Sequence, residues 1–454
     1  MKFVNRKEEL EFLEQLYKKN TFEFLSISGR RNIGKTRLIK QFVKDKKHFY
    51  YYFSVSSDEE IRTSFIQALF KNFKKPINPN ANWEEILRFL FLSASQEKLL
   101  IVLDEFQRVI EINKRIPSLM QMLIDEVKID RKDFLIIMGS VHGLISELFE
   151  YDAPLFGRRT NQLVLSHFSI DGMTEWFPKA SYIQLIEIKA IFGGVPFYFE
   201  QIDANKDIYD IVTQLVLHKF SIFINEGELL IKTNFQKYRD PERYYAILNA
   251  LSNSRHSLNE IATWTGIPVT SLPYYLDVLE SKINFISKNT PFNISKKSKI
   301  TKYKLNDSFL KFWFKFIQPY QQQIEYVDKD EILEPFEAFL GKAVEDVIIN
   351  EIKAFPKKFL SFSPEKIGFY WNRSGIEIDI GAINRKKKKI ALGEIKWKNN
   401  PISKKEILNF LKKIEFFKKK YSEWDIELLF LSKNGFTKEV SNFKNINLIA
   451  FNEW

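Results

Sequence analysis

The chain has 454 residues, enough for about three domains of ~100–200 residues each. It has no cysteine and five scattered histidines, which excludes disulfides and thiolate zinc sites and argues against a metal centre built from histidines. Its start lacks an apolar signal core, and no apolar stretch reaches the ~18–20 residues of a membrane helix, so we expect a cytoplasmic protein without a membrane partner.

The net charge of +12 is unevenly distributed along the chain. Residues 1–235 carry 32 Lys and Arg against 31 Asp and Glu, whereas residues 236–318 carry 13 against 6 and residues 331–454 carry 23 against 17. The basic excess in the C-terminal half favours a polyanionic partner there, which we take to be nucleic acid and in the first place DNA. The alternative is that these lysines form solvated faces without a partner.

Over the first ~160 residues, strand patterns alternate with amphipathic helix patterns, which is typical of an α/β fold. The strands read "FEFLSIS", "HFYYYFSV", "KLLIVL" and "DFLIIMG", and a helix, "VNRKEELEFLEQLYKK", precedes them. This alternation predicts a parallel sheet that is covered by helices on both faces.

The segment from Gly29 to Thr36 reads G-x-x-x-x-G-K-T and lies between the first of these strands and an amphipathic helix. In that context the motif predicts a phosphate-binding loop for ATP. The glycines let successive N–H groups face the phosphates, Lys35 reaches the β- and γ-oxygens, and Thr36 binds Mg²⁺. The residues assigned to nucleotide contact are Gly29, Arg30, Arg31, Asn32, Ile33, Gly34, Lys35 and Thr36. The alternative is a chance combination of strand, turn and helix.

Polar residues follow the next strands at their carboxyl ends, where open α/β sheets bind ligands. Asp104 is expected to hold the water shell of the magnesium ion, and Glu105 to polarise the attacking water. After the fourth strand, Ser140 is expected to sense the γ-phosphate. Arg158 or Arg159 is a candidate arginine finger, and a finger supplied by a neighbouring subunit would require a homo-oligomer. The alternative for the two arginines is a surface loop.

Together these segments resemble the archaeal P-loop ATPases at the border of the AAA+ and STAND groups. Those proteins combine an "NRKEEL"-type start, a phosphate loop, an "LDEFQ" strand, a "PLFGR" turn and a later "GGVP" motif, which here is Gly193 to Pro196. The resemblance implies an ATPase core over residues 1–164 and a helical lid over residues 165–235, whose "GGVP" turn closes near the nucleotide. It also implies that Asn5 and Arg6 lie near the adenine.

Residues 236–318 show three helical patterns followed by a basic strand pair, which is the order of a winged helix. The helix in the recognition position, residues 269–281, has no Lys or Arg, so we do not expect it to read bases. The tip of the strand pair carries Lys296, Lys297 and Lys299, which can contact phosphates. A module that only packs between domains is an equal alternative. The aromatic helix that follows, "SFLKFWFKFI", is expected to be core.

In residues 331–454, "GIEIDIGAI" and "IALGEIKW" alternate as two strands joined by the turn "RKKKK". A hairpin would bring Asp379, Glu394 and Lys396 together. Two carboxylates for Mg²⁺ or Mn²⁺, beside a lysine that can orient water, suit phosphodiester cleavage. This segment resembles the PD-(D/E)xK nucleases, although "GIEID" lacks their proline, and the resemblance implies Glu345 on the upstream helix as an additional metal-binding acid. The alternative is an exposed hairpin whose charges are only solvated.

The sequence therefore predicts an ATPase that hydrolyses Mg-ATP, acts on nucleic acid and gates a nuclease-like C-terminal domain. The rival hypothesis is a nucleotide-controlled switch of the STAND type, which binds a protein or DNA partner and has no nuclease activity. Metal-dependent cleavage by the purified protein discriminates between the two.

Overall fold

The structure is a computed structural model that describes residues 3–93, 98–128, 131–140, 142–235, 238–294, 300–372 and 374–454. The chain forms two compact units. The first comprises Met1–His167 with Ser281–Ile283, and the second comprises Phe168–Glu280 with Asn284–Trp454. Among the helices of the described ranges, none is long and apolar enough to cross a membrane.

The first unit alternates strands and helices, as the sequence predicts. Its elements are, in chain order, α1 (Lys7–Lys18), β1 (Glu23–Ser28), α2 (Lys35–Val43), β2 (His48–Tyr52), α3 (Asp58–Phe73), α4 (Trp83–Ser93), β3 (Leu100–Asp104), α5 (Gln107–Ile112), α6 (Ile116–Val127), β4 (Phe134–Gly139), α7 (His142–Glu147) and β5 (Asn161–Val164).

The five strands form one parallel sheet in the order β2-β3-β4-β1-β5. Every residue of β1, β3 and β4 is buried, because helices cover both faces of the central strands. One face packs on apolar residues of α1 and α2, and the other packs on those of α3, α4 and α6. The predicted parallel sheet with two covered faces is therefore confirmed. The carboxyl ends of β1, β3 and β4 lie at one edge of this sheet.

The second unit begins with five helices, and the "GGVP" motif lies between the second and the third. These helices are α8 (Ile170–Thr174), α9 (Tyr182–Phe192), α10 (Pro196–Phe199), α11 (Ile208–Ile211) and α12 (Phe223–Phe235). Gly193 ends α9 with a φ of +66°, in the left-handed region that favours glycine. Seven of the eleven residues of α9 are buried, including the charged Glu187. A helix buried in this way is an internal element of the unit rather than a surface helix.

Three further helices and a strand pair follow in the predicted order: α13 (Pro241–Ser252), α14 (Leu258–Thr265), α15 (Leu272–Asp277), β6 (Ile286–Asn289) and β7 (Lys302–Leu305). The two strands are antiparallel. The predicted basic tip, Lys296, Lys297 and Lys299, lies outside the described residues. The aromatic helix α16 (Ser308–Phe312) continues as a π-helical turn over Trp313–Ile317, and its aromatic side chains are buried, which confirms the prediction that they are core.

The chain ends in a second sheet flanked by long helices. The elements are α17 (Lys329–Leu333), α18 (Phe336–Ala354), β8 (Lys366–Trp371), β9 (Glu377–Asn384), β10 (Lys389–Lys396), α19 (Lys404–Lys420), β11 (Asp425–Ser432) and β12 (Asn447–Ala450). The strand order is β12-β11-β10-β9-β8, antiparallel from β8 to β10 and parallel from β10 to β12. The predicted hairpin of β9 and β10 is confirmed. The buried face of α19 packs on this sheet.

Candidate functional site

The phosphate loop joins the end of β1 to the start of α2, and its backbone uses the left-handed region three times. The φ angles are +153° at Gly29, +66° at Asn32 and +99° at Gly34. A Cβ atom at residue 29 would lie 2.7 Å from the carbonyl oxygen of Leu165, so the loop admits only glycine there. These turns allow backbone N–H groups to converge at the start of α2, where the helix dipole favours an anion.

Lys35 is buried in this loop, and its ammonium group lies against the loop's own carbonyls. The Nζ atom donates to the carbonyl oxygens of Gly29 at 2.7 Å and Arg30 at 3.1 Å. Burial lowers the pKa of Lys35 to about 8, although the carboxylates of Glu105 and Asp104 act to raise it. The two carboxylates therefore offset only part of the cost of burying the ammonium, and contact with a phosphate oxygen would stabilise its charged form.

Thr36 and Asp104 meet at the edge of the sheet. The Thr36 hydroxyl donates to Oδ2 of Asp104 at 2.9 Å, and the Tyr50 hydroxyl donates to the same oxygen at 2.7 Å. Burial and the Asp104 charge raise the pKa of Tyr50 well above its ordinary value, so its hydroxyl remains a donor. A hydroxyl and a carboxylate are the hard oxygen ligands that Mg²⁺ prefers, so Thr36 and Asp104 fit that ion by their chemistry.

Glu105 is held in a fixed position just beyond β3. Its backbone is left-handed, with a φ of +55°, which is uncommon for a residue with a side chain. Its Oε2 atom accepts from Gln107 Nε2 at 2.6 Å and from the Ser140 hydroxyl at 3.1 Å, and Arg108 Nε lies 3.7 Å away. Ser140 thus contacts a carboxylate at the neighbouring strand end, while its role as a phosphate sensor stays a prediction.

Arg6 links the start of the chain to the phosphate loop. Its guanidinium is buried and donates to the carbonyl oxygens of Ser166 at 2.8 Å and Ile33 at 3.4 Å, and it pairs with Glu9 at 2.7 Å. Asn5 and Arg6 both have positive φ angles, of 51° and 101°. This turn holds the chain start against the loop; contact with the adenine stays a prediction.

The two candidate finger arginines are engaged within their own unit. Arg158 Nη2 donates to Oδ2 of Asp125 on α6 at 2.9 Å. Arg159 Nη1 donates to the hydroxyl of Ser26 at 3.1 Å, and its guanidinium lies 4.4 Å from the ring centroid of Phe149. A finger role requires these contacts to break, and it stays a prediction.

In the C-terminal sheet, the carboxylate of Glu394 on β10 is in contact with the ammonium groups of two lysines. Lys396 Nζ lies 2.8 Å from its Oε1, and Lys413 Nζ, from α19, lies 2.9 Å from Oε1 and 3.0 Å from Oε2. The Glu394 side chain is only 6% exposed. Burial acts to lower the pKa of Lys396, but the carboxylates of Glu394, Asp379 and Glu345 outweigh it and raise that pKa. The structure thus brings Glu394 and Lys396 together, as the hairpin predicts.

Asp379 and Glu345 complete the cluster. Asp379 accepts from the backbone N–H of Ile395 at 3.0 Å, and Glu345 on α18 pairs with Lys342 one turn earlier. Burial and the charge of Asp379 raise the pKa of Glu345 to about 7. Burial and the charge of Glu394 raise the pKa of Asp379 in the same way. The three carboxylates therefore influence one another electrostatically.

In donor chemistry this cluster fits Mg²⁺ or Mn²⁺, because three carboxylates supply hard oxygens and mutual repulsion that a cation would relieve. Its arrangement differs from the predicted metal site of Glu345, Asp379 and Glu394. Across the described ranges, no group of three or more His, Cys, Asp or Glu side chains is arranged to hold a metal ion. The carboxylates instead make ion pairs: Lys396 and Lys413 contact Glu394, and Lys342 contacts Glu345.

Sequence reasoning missed Tyr50, Gln107, Lys342 and Lys413. Gln107 could have been predicted from the sequence, because it lies two residues after Glu105 in the "LDEFQ" segment. Tyr50 reaches Asp104 through the pairing of neighbouring strands, and Lys413 reaches Glu394 through the packing of a helix on a sheet. Neither contact leaves a spacing in the sequence that would reveal it.

Two family profiles match the chain. Residues 3–202 match a family of ATPase domains found predominantly in Archaea. Residues 313–410 match a family of archaeal and bacterial proteins of unknown function. The first match covers the sheet, the phosphate loop and α9, and the second extends from the aromatic helix to β10 and part of α19.

Related proteins extend the likeness over most of the chain. An uncharacterized protein of Methanocaldococcus jannaschii is 33% identical over 412 residues, which are 87% of this chain and 88% of the relative. A second protein of that organism, named as an uncharacterized ATP-binding protein, is 56% identical over 45 residues, 10% of this chain and 76% of its own.

Among solved structures, a Walker-type ATPase of Pyrococcus abyssi superposes with a TM-score of 0.51 at 17% identity, covering 69% of this chain and 96% of that one. At this identity the likeness concerns the fold, which is that of a P-loop ATPase. The relative that is similar over nearly its whole length and the family match, which agree with this fold, show that this chain belongs to the family of archaeal P-loop ATPases.

Proposed function

We propose that this protein binds Mg-ATP, hydrolyses it, and uses the cycle to control an action of its C-terminal residues on nucleic acid. The observation that carries the first part is the grouping of Thr36, Asp104 and the restrained Glu105 at one sheet edge beside Lys35. The ATPase family and the ATP-binding name of one relative support it.

Each residue has a separate task in this reaction. Lys35 exchanges a loop carbonyl for a phosphate oxygen, and Thr36 with Asp104 would hold Mg²⁺, which when bound neutralises charge on the β- and γ-phosphates. Glu105, kept in place by Gln107 and Ser140, accepts a hydrogen bond from the attacking water and orients it. Either arginine finger, if it acts in trans, would come from a second copy of this chain.

Substitution of Lys35 and Glu105 tests this assignment. Lys35→Ala should weaken nucleotide binding by about 10–100-fold, because a charge-assisted contact to phosphate is lost in the ground state. Glu105→Gln should retain binding but lower kcat by about 10²-fold or more, because the carboxylate acts on the water. Calorimetry and phosphate release measure the two effects.

Two exposed residues nearby serve as controls: Lys40→Ala on α2 and Glu111→Gln on α5 should behave like the wild type. Wild-type hydrolysis by Glu105→Gln would contradict the role of Glu105. Undiminished binding by Lys35→Ala would contradict the phosphate loop itself.

For the C-terminal sheet we propose metal-dependent phosphodiester cleavage. The support is the electrostatic coupling of Glu345, Asp379 and Glu394 and the contact between Lys396 and Glu394. The carboxylates would hold Mg²⁺ or Mn²⁺, which when bound stabilises charge on the phosphate. Lys396, kept charged by its neighbours, orients the attacking water or contacts the phosphate.

In the full chain, Asp379→Ala or Lys396→Ala should lower cleavage of DNA or RNA by about 10²-fold or more, with nucleic-acid binding retained. Binding should come from the lysines of the turn at 386–389 and of α19, and should weaken steeply with salt. Glu377→Ala, exposed on the same strand, is the matched control. Gel assays with Mg²⁺ or Mn²⁺ measure cleavage, and anisotropy measures binding.

The switch hypothesis remains the second candidate. It gains support if the full chain binds nucleic acid or a protein in a nucleotide-dependent way yet cuts nothing with either metal. We also propose that residues 165–235 act as a lid on the 1–164 core and that residues 236–318 form a winged helix, with 331–454 as the nuclease-like domain. The hairpin tip of the winged helix is its expected phosphate contact.

A further inference from the structure

A carboxylate on α18, that of Asp346, is shared by two lysines from other elements. Lys304 on β7 and Lys311 on α16 both form ion pairs with it, and the Nζ atom of Lys311 lies 2.5 Å from its Oδ2. Two positive charges therefore face one negative charge. The three side chains are only 14–24% exposed, so their charges interact more strongly than in water, yet a small anion can still reach them.

These contacts leave positive charge unbalanced around Asp346. Burial lowers the pKa of Lys304, and the Asp346 charge acts to raise it. The nearby ammonium groups of Lys311 and Lys342 act to lower that pKa further. Lys342 has its own partner in Glu345, so the unbalanced charge belongs to Lys304 and Lys311. An anion bound beside these two lysines would stabilise their charged forms.

The positive charge continues along β7. Lys302 lies two residues before Lys304, so both side chains extend from the same face of the strand, about 6.6–6.8 Å apart. The Lys302 ammonium lies 5.0 Å from the ring centroid of Trp371 on β8 and 3.6 Å from Glu377, and its side chain is 42% exposed. The Lys304 ammonium lies 4.1 Å from the ring centroid of Phe369 on the same strand. A row of ammonium groups suits a chain of phosphates better than a single anion.

We propose that Lys304 and Lys311 form a phosphate-binding site, which together with Lys302 holds the backbone of a nucleic acid against β7 and β8. The proposal rests on the nucleic-acid binding proposed for the C-terminal residues, and it adds a contact to those of the turn at 386–389 and of α19. The phosphate oxygens accept hydrogen bonds from the two ammonium groups, which Asp346 holds in place before binding. Because the site contacts phosphate and not bases, we expect it to be indifferent to base sequence.

Anisotropy titrations of the full chain with a labelled single-stranded DNA and with its duplex test the proposal. Lys304→Gln and Lys311→Gln should each weaken DNA binding about tenfold at ~50 mM salt. Each should also lower the slope of log affinity against log salt by about 0.7–0.9, because one counterion fewer is released. Either substitution leaves Asp346 paired with the other lysine, so the fold should be retained. Lys357→Gln removes the same charge from an exposed position and should bind DNA like the wild type.

Asp346→Asn should have an effect of the opposite sign. It releases both ammonium groups from their shared carboxylate, so DNA binding should become about two- to fivefold tighter, whereas a purely structural ion pair predicts only a loss of stability. Glu337→Gln, which removes the same charge from an exposed position of α18, is the control and should leave DNA affinity unchanged. If Asp346→Asn does not fold, the two lysine variants decide.

Calorimetry with sodium tripolyphosphate distinguishes a nucleic-acid backbone from a free polyphosphate, and Lys35→Ala as the background weakens binding at the phosphate loop. Loss of tripolyphosphate binding in both lysine variants with unchanged DNA binding would overturn the assignment to nucleic acid. Wild-type DNA affinity and salt slope in Lys304→Gln and Lys311→Gln would overturn the site while leaving binding by the other lysines intact. Absence of DNA binding by every protein, the wild type included, would overturn the proposed nucleic-acid function as well.

Discussion

At Lys35, burial and neighbouring charges act in opposite directions on a single ammonium. Burial is the stronger influence and lowers its pKa to about 8, within reach of ordinary buffers. Contact with phosphate would favour the charged form, so the pKa of Lys35 must be higher in the nucleotide complex than in the free protein. Nucleotide binding is thereby linked to uptake of a proton above pH 8.

We therefore expect nucleotide affinity to fall as the pH rises above about 8. The sign follows from linkage: the free protein has lost the Lys35 proton above that pH, and binding must restore it, which weakens affinity by up to about tenfold per pH unit. Calorimetry with ADP at pH 7, 8 and 9 measures the effect. The ADP affinity of Lys35→Arg, whose guanidinium stays charged, should not change over the same pH range. An ADP affinity of the wild type that does not change with pH would contradict the lowered pKa of Lys35.

Residues within one motif could be assigned from the sequence, whereas residues that meet through packing could not. Gly29 to Thr36 belong to one motif, and Asp104 and Glu105 end a recognisable strand. The restraint on Glu105 depends on Ser140 from the next strand, and the Lys413 contact depends on how α19 lies on the sheet. Such contacts are set by tertiary register, which leaves no local periodicity to detect.

The helix α9 carries two charges into the interior of the second unit. Lys189 pairs with the buried Glu351 on α18, and Glu187 accepts from Trp397 Nε1 at 2.9 Å and from Lys433 Nζ at 2.8 Å. Burial lowers the pKa of Lys189 even with Glu351 beside it. The sequence "YIQLIEIKAIF" does not indicate which groups compensate the charges of Glu187 and Lys189.

Glu351→Gln should destabilise the protein by about 3–5 kcal/mol, because it leaves the Lys189 ammonium buried without its charged partner. This loss of stability should become smaller as the pH rises. The unfolded chain keeps the Lys189 proton up to the ordinary lysine pKa, whereas the folded variant releases it at a lower pH. The more exposed pair of Asp171 and Lys358 provides the control: Asp171→Asn should cost no more than about 1 kcal/mol. Urea unfolding at pH 7 and pH 9 measures both; equal losses for the two variants would contradict this account.

At the scale of the whole chain, the two sheets differ in how far the sequence could predict them. The parallel sheet follows from four apolar strands that alternate with helices. Its central strands are buried on both faces, so they can be recognised in the sequence as continuous apolar runs. In the second sheet, only the β9–β10 hairpin was predicted, because "RKKKK" marks its turn. The outer strands β8, β11 and β12 are spread over residues 366–450, and their order depends on packing around α19.

The buried charges of α9 also bear on how this chain can be divided and recombined. A gene fusion or truncation in the stretch between 318 and 331 would separate α9 from Glu351, Trp397 and Lys433, so each fragment would expose charged and aromatic surface that had been internal. A fragment that is meant to carry the C-terminal sheet into another protein must therefore include α9, although that helix precedes the sheet by more than a hundred residues.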